Sequence, residues 1–431
     1  MTSSRKEING FVESHCNIVC QACFGKRRLR GVQGLCGREK PAPSHGIVLR
    51  NVPRREKMPA AMKCLTVIVL ILTVFYGRSE NLPAPVPLAI VGLAHGAAGH
   101  FLAALPGCTG ARLVGILETN ELLAAQYQAR FNLDKALFYT NFDQMCRARH
   151  PQAVAVFTRT LDHCSVVEEC AAIGIDVLLE KPLAVNLAEA RRLASVAQKA
   201  NIEIMVNYDT TWYPAHQGAY DIVHNHRLIG AVRKMVVRAG HRGPKETGCS
   251  PAVLEWLTDP AQSGGGALVD FGCYGANLVT WMMDGELPKS VMAMTQHIKP
   301  AVYPKVEDEA TIVLEYPAAQ AIIQASWNWP FEIHDLEIFG RDGYVFAPQK
   351  DLLRVRKAGS EESEIKMDAS PAEQGFPDEV SYLIAVVRRQ IRPTGLTSMK
   401  LNLTVTEILD AAKDSARTGR RVDLPAGEAA P

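Results

Sequence analysis

Asp176-Val177-Leu178-Leu179-Glu180-Lys181-Pro182 is the stretch on which the reading of this chain turns. An apolar run bounded by Gly174 and Pro182 reads as a short buried strand, and it stops on an acid, a lysine and a proline. The proline fixes its own φ and keeps Lys181 out of the helical region, so the lysine leaves the strand at a rigid exit. In open α/β sheets, ligands sit at the carboxyl ends of the strands. A lysine placed there can polarise a substrate hydroxyl or hold a cofactor ribose.

Upstream, residues 88–91 form an apolar strand that runs into Gly92-Leu-Ala-His-Gly96-Ala-Ala-Gly99 and a helix starting near His100. A dinucleotide fingerprint needs glycine at the tight turn, where the backbone approaches the pyrophosphate, and where helix meets strand. Gly92 fills the first position. Ala94 stands at the second, where its methyl crowds a pyrophosphate, and Ala97 at the third. With Gly92, Ala94, His95 and Gly96 the turn can still cradle phosphate through exposed N–H groups. The next strand, 111–117, ends on Glu118, about 20 residues on, placed to accept ribose hydroxyls and to repel a 2′-phosphate. The expected cofactor is therefore NAD rather than NADP. Further strands at 136–139, 153–158, 176–179 and 202–206 alternate with helical patterns, which predicts an N-terminal Rossmann domain over 88–207, a doubly wound parallel sheet.

After Asn207 the pattern changes. A helix near 216–226 precedes strands such as 233–237, 290–297, 310–316 and 320–326, and hairpin-like spacing predicts a C-terminal α+β domain, 208–425, with a large open, mostly antiparallel sheet. A helix over 405–418 closes it and returns to the first domain. Within it, Gly264-Gly-Gly-Ala-Leu-Val-Asp270-Phe-Gly-Cys-Tyr274 opens an amphipathic helix, where Asp270 and Tyr274, four apart, share a face. A tyrosine beside a lysine suits alcohol oxidation: positive charge favours the phenolate, which takes the hydroxyl proton as hydride leaves. Lys181, Asp270 and Tyr274 are the expected catalytic set, with Asp270 orienting or balancing the pair. The same three, with Asn207 at a strand end, are the expected substrate ligands. His163 is a second-rank candidate for contact with nicotinamide.

Thr158 through His163, one helix, Gly174 and then Glu180-Lys181-Pro182 resemble the Gfo/Idh/MocA oxidoreductases, in which T-P-N-x-x-H leads through a helix to E-K-P. Here Arg159 and Thr160 replace the proline and asparagine. The glycine-rich helix resembles the family's G-G-x-x-x-D-x-G-x-H, with Tyr274 at the place of the acid/base histidine, as in the glucose–fructose oxidoreductase and dihydrodiol dehydrogenase branch. The resemblance spans roughly 87–425. It implies cofactor contacts from Thr158, His163, Glu180, Lys181 and Pro182, and hydride transfer between nicotinamide and a secondary alcohol of a sugar, cyclitol or related polyol. It also implies a homo-oligomer formed through the C-terminal sheet. Two alternatives remain beside it: an enzyme that retains NAD for transient oxidation during glycoside cleavage or epimerisation, and a non-catalytic sugar-binding protein on the same fold.

Charge and cysteine placement set the N-terminal stretch apart. Residues 1–63 hold 13 Lys/Arg against 4 Asp/Glu, which leaves the rest with 34 against 41, so nucleic acid is not an expected partner of the body. Residues 1–61 read as a disordered or mis-assigned extension. From Met62, Lys63 and the uncharged run 65–76 resemble a signal peptide ending near residue 80, followed by a Pro-rich linker, 81–87. This predicts export, to periplasm or exterior, with no stable membrane insertion of the mature chain; without a working signal the protein is cytoplasmic. Cys16, Cys20 and Cys23 match an iron–sulfur spacing without the strand that should follow it, and no metal is expected.

Overall fold

Strands and helices alternate from β1 (Val86–Val91) through α1 (Ala97–Ala104), β2 (Ala111–Leu117), α2 (Glu121–Phe131), β3 (Phe138–Tyr139), α3 (Phe142–Arg149), β4 (Ala153–Val156), α4 (His163–Ala172), β5 (Asp176–Glu180) and α5 (Leu187–Ala200) to β6 (Ile204–Asn207). The computed structural model describes residues 83–368 and 375–425; the expectations for the extension, the signal-like segment and Cys16, Cys20 and Cys23 lie outside them. The six strands pair in the order β3-β2-β1-β4-β5-β6, all parallel. Because the order reverses between β1 and β4, a crevice opens at the carboxyl ends of these two strands.

Parallel strands must be covered on both faces, and the alternation along them shows how. Ala89, Val91, Val154, Val156, Val177 and Leu179 join Val167 of α4 and Leu193 of α5 in one cluster. Their neighbours Leu88, Ile90, Ala153, Ala155 and Leu178 join Phe101 and Leu102 of α1 in another. Side-chain caps fix the helix starts: Asn120, Asn141 and Asn186 each accept a bond from a backbone N–H in the first turn of α2, α3 and α5. β1 begins two residues earlier than the pattern suggests, since the Pro87 carbonyl accepts the N–H of Gln152 and proline tolerates a strand start. Lys135–Leu137 is a 3-10 turn rather than strand.

The second sheet follows α6 (Pro214–Tyr220), which continues into a π turn at Asp221–Asn225. Its strands are β7 (Val232–Gly240), β8 (Ser290–Gln296), β9 (Glu309–Glu315), β10 (Gln320–Ser326), β11 (Ile333–Gly340), β12 (Gly343–Gln349), β13 (Leu352–Lys357), β14 (Ser363–Lys366) and β15 (Val422–Asp423). They pair as β14-β13-β12-β11-β7-β10-β9-β8-β15; β7 and β10 run parallel and the other pairs antiparallel. Between β7 and β8 lie α7 (Pro251–Leu257), α8 (Ala267–Asp270) and α9 (Gly272–Met282). Two helices close the chain, α10 (Glu379–Val387) and α11 (Met399–Thr418). α11 packs on α9, β8 and α5, so it touches both sheets. α10 buries Val380, Leu383 and Ile384 against the β1 face of the parallel sheet. No helix among the described residues is long and apolar enough to cross a membrane.

Candidate active site

The glycine turn after β1 is held by its backbone and by Glu118. The Gly92 N–H donates to the Leu117 carbonyl at 2.8 Å, with φ at +79°, a value side chains rarely adopt. A β-carbon there would lie 2.6 Å from Thr158 Cγ2 and 3.0 Å from its backbone, so glycine lets the turns after β1 and β4 press together. The Glu118 carboxylate accepts the N–H groups of Leu93 and Asn120, both at 2.8 Å, and thereby ties the turn to the start of α2. Gly96 has open space where a side chain would stand.

A cavity of about 400 Å³ lies over these turns, lined by Gly92, Ala94, Glu118, Thr158, Arg159 and Trp256 among others. Trp256 of α7 crosses its inner end: the indole N–H donates to the Ala94 carbonyl at 3.2 Å, and the ring lies 5.8 Å from that of His95. Arg159, which replaces the family proline, bonds Asp162 at 2.7 and 2.9 Å and reaches Gln262 at 2.8 Å. The donor set fits a dinucleotide: a glycine turn beneath, an acid at the end of β2, and a crevice at the switch point.

A second cavity, about 280 Å³, opens at the carboxyl ends of β5 and β6, and Trp256 lines both. Its walls include His95, Glu180, Lys181, Asn207, Asp270 and Tyr274, so residues far apart in sequence meet there. The Lys181 ammonium donates to Asp270 Oδ1 at 2.6 Å and to the Asp270 carbonyl at 3.2 Å, while the Trp327 indole donates to Oδ2 at 3.0 Å. Burial works against both charges. The ammonium's charge and hydrogen bond outweigh it and hold the Asp270 carboxyl below its usual range, and Asp270 in turn raises Lys181. The lysine is therefore a fixed cation. Pro182 follows through a cis peptide bond.

Asp270 and Tyr274 do not lie on one continuous helix. α8 ends at Asp270 and α9 begins at Gly272, with Phe271 at the junction. Glu307 caps the start of α8 by accepting the N–H groups of Gly266 and Leu268, at 2.8 and 3.1 Å. Both side chains still face the cavity.

The arrangement differs from the expected lysine–phenolate pair in one respect. The Lys181 ammonium lies 4.9 Å from the centre of the Tyr274 ring, over the ring's face, while the phenol donates to Asp209 Oδ1 at 2.9 Å. Burial, and then the carboxylate of Asp209, push the phenol well above its usual value. Tyr274 is a protonated donor in this state, because the nearest group on its oxygen is an acid.

Glu180 is buried and accepts the Asn207 amide at 2.7 Å, whose carbonyl takes the Trp212 indole N–H at 3.0 Å. Burial raises this carboxyl to about 8. His95, neutral in the wall, is pushed down to about 3 by burial and by Lys181. His163 departs from expectation. Its side chain is buried, lines neither cavity, and its Nδ1 pairs with the Leu183 carbonyl at 3.1 Å. It sits behind the site, bracing the turn that follows Pro182.

Three wall residues carried no signal that singled them out: Asp209, Glu332 and His334. Asp209 stands two residues past the end of β6, and Glu332-Ile333-His334 shows strand alternation; those two placements are the only sequence clues. Asp209, Glu332 and His334 also form a group able to hold a metal ion, although the sequence led us to expect none.

Comparison with known proteins agrees with this architecture. Residues 86–208 match the model described as "Oxidoreductase family, NAD-binding Rossmann fold", and residues 219–346 match "GFO/IDH/MocA C-terminal domain". A trans-1,2-dihydrobenzene-1,2-diol dehydrogenase of Xenopus laevis is 29% identical over 219 residues, covering 50% of this chain but only 61% of the relative. An aldose–aldose oxidoreductase of Caulobacter crescentus, solved with glycerol, superposes with TM-score 0.67 at 22% identity, over 79% of this chain and 100% of that one. An inositol dehydrogenase homologue of Azotobacter vinelandii, solved with NADH and myo-inositol, gives TM-score 0.67 at 18% identity, over 80% and 99%. With both family models placed in order along one continuous fold, and the E-K-P turn facing the glycine-rich helix, the chain belongs to the Gfo/Idh/MocA oxidoreductase family.

Proposed function

We propose that the chain is an NAD-dependent oxidoreductase that moves a hydride between nicotinamide and a secondary alcohol of a sugar, cyclitol or related polyol. One observation carries the reading: Lys181, Asp270 and Tyr274 converge beside the dinucleotide cleft. Relatives named for diols and aldoses, and one solved with myo-inositol, support the substrate class. Glu118 at the end of β2 supports NAD over NADP.

Bound nicotinamide supplies the hydride acceptor at its ring. Lys181 spends two donor directions on Asp270, which leaves one for the substrate oxygen, and its fixed charge stabilises negative charge developing there. The substrate O–H breaks as its proton passes to the Tyr274 oxygen. The phenol's own proton moves along the existing bond to Asp209, whose outer side is exposed and can release it to water. Tyr274 is thus a relay rather than a standing base.

The test is nicotinamide reduction by the purified chain with a panel of sugars, cyclitols and diols. Turnover is expected with NAD above NADP. Tyr274→Phe removes one hydroxyl and is expected to lower kcat roughly 10²–10⁴-fold while nucleotide binding persists. An unchanged kcat in that variant removes the relay, and absence of nucleotide binding by calorimetry favours the non-catalytic alternative.

Trp256 favours a second reading. An indole bonded across the cleft to Ala94 hinders exchange of nucleotide, as an enzyme that retains NAD for transient oxidation requires. Nucleotide released only on denaturing the purified protein, with turnover in its absence from solution, selects that reading. Self-association through the open sheet belongs to the same proposal, supported by the half-exposed cluster of Phe339, Tyr344 and Phe346; sedimentation measures it.

A further inference from the structure

Asp209, Glu332 and His334 bring one candidate ligand atom each to the wall of the substrate cavity, all within 4.8 Å of one another. Glu332 and His334 flank Ile333 at the start of β11, so they point to one side. Asp209 arrives from the turn after β6. Asp209 accepts the Tyr274 phenol through Oδ1, and among the described residues no lysine or arginine ion-pairs with either carboxylate; Glu332 pairs with His334, at 3.4 Å. Like charges brought this close in a recess favour a cation between them.

The histidine is the second, independent sign. Its side chain is only 6% exposed, packed 4.9 Å from the Tyr274 ring and 5.7 Å from that of Phe271. Its Nδ1 is buried and has no hydrogen-bond partner. A buried imidazole ordinarily satisfies its ring nitrogens with protein acceptors or donors. This one leaves Nδ1 uncommitted and turns Nε2 to the acids, 3.4 Å from Glu332.

We propose that Asp209, Glu332 and His334 bind a divalent first-row cation such as Mn²⁺ or Zn²⁺. Two oxygens and one imidazole nitrogen suit these ions better than Ca²⁺. Three protein ligands leave open positions, and here they face the cavity, where a hydroxyl oxygen of a bound polyol completes the shell. Ligand atoms about 2.0–2.2 Å from an ion sit closer together than the present spread, which rotation of the two carboxylates on their exposed stems closes. The site depends on these side chains alone and stands whichever reaction the cavity serves.

Titration of the nucleotide-free full chain with Mn²⁺, read by loss of the free-ion electron paramagnetic resonance signal, tests this. Mn²⁺ is chosen because the cysteines elsewhere in the chain prefer softer ions. One ion per chain is expected. Glu332→Gln and His334→Gln are each expected to weaken binding roughly tenfold or more. Glu332 is exposed, so its variant retains the fold, and an unchanged melting temperature without metal verifies that. Absence of Mn²⁺ binding overturns the proposal. So does binding that both variants leave intact, or binding of an amino sugar's ammonium at Glu332 with no metal affinity. Metal binding without any nicotinamide reduction leaves this site standing and removes only the proposed reaction.

Discussion

Glu180 shows how one residue of the family turn is tuned by its surroundings. Its carboxyl is 4% exposed and is raised to about 8 by burial, with Asp209 adding to the shift and the Asn207 bond and Lys181 opposing it. The unfolded chain ionises this group near about 4.3. Between those two values the folded protein keeps a proton that the unfolded chain has lost, so stability falls as pH rises through the window, by up to about 1.4 kcal/mol per unit. Glu180→Gln preserves an acceptor for Asn207 and removes the titration. Urea unfolding at about pH 5 and pH 8 should therefore show a flatter pH dependence in the variant, which is the more stable protein at the higher pH by on the order of a few kcal/mol. Parallel curves for the two proteins would mean that the carboxyl ionises freely in the fold. The sequence marked Glu180, yet its neighbours Asn207 and Trp212 act on it through space from another strand.

At the scale of elements, the turn after β1 carries the most constraint. Gly92 combines a positive φ with close approach to Thr158, so Gly92→Ala must distort either the turn or the end of β4. The expected cost is about 1–3 kcal/mol, together with weaker nucleotide binding, because Glu118 and Leu93 move with the turn. Thermal melting and calorimetry with NAD measure the two effects; a variant that loses neither shows that the turn has slack. This turn was legible because glycine, strand and acid occur at fixed spacing. β2 and β10 were legible to the residue, each a compact run bounded by turn residues. α10 was not, since Glu379–Val387 is nearly all apolar after its first turn and has neither helical nor strand period to read. Of the site, Lys181, Asp270 and Tyr274 were visible as motif positions. Asp209 and His334 were invisible, because each enters the wall from a connection or a strand end whose place is set by the packing of both sheets. The same cause underlies a contact that spacing did not foresee: the lysine and tyrosine were expected together, but only the fold supplies Asp209 as the phenol's partner.

Across the whole molecule, the two sheets share their interior. A single apolar cluster runs from Val91, Val156 and Val206 of the parallel sheet to Val237, Ile312 and Ile323 of the second, with α11 packed on both sides. Buried polar bonds lock the junction. The Tyr208 hydroxyl donates to Asn402 at 3.0 Å, and the Asn402 amide reaches the carbonyls of Leu396 and Ser398 at 3.0 and 2.9 Å. Asn277 of α9 bonds the same Leu396 carbonyl at 3.0 Å. Because Tyr208 follows β6 directly and Asn277 lies about one turn past Tyr274 on α9, this knot sets the distance between Lys181 on one side and Tyr274 on the other. Separate unfolding of the sheets would expose the shared cluster and break the knot, so a single cooperative transition is expected. Tryptophan fluorescence and far-ultraviolet circular dichroism should give coincident urea curves. Asn402→Leu leaves the Tyr208 hydroxyl without its acceptor, while Asn277 still serves the Leu396 carbonyl, at about 1–3 kcal/mol for the unsatisfied buried group. Its midpoint should fall while the two curves remain superimposed. Curves that separate in the unaltered protein would show that each sheet folds alone, and the alignment of the lysine and the phenol would then rest on the closing helices rather than on a common core.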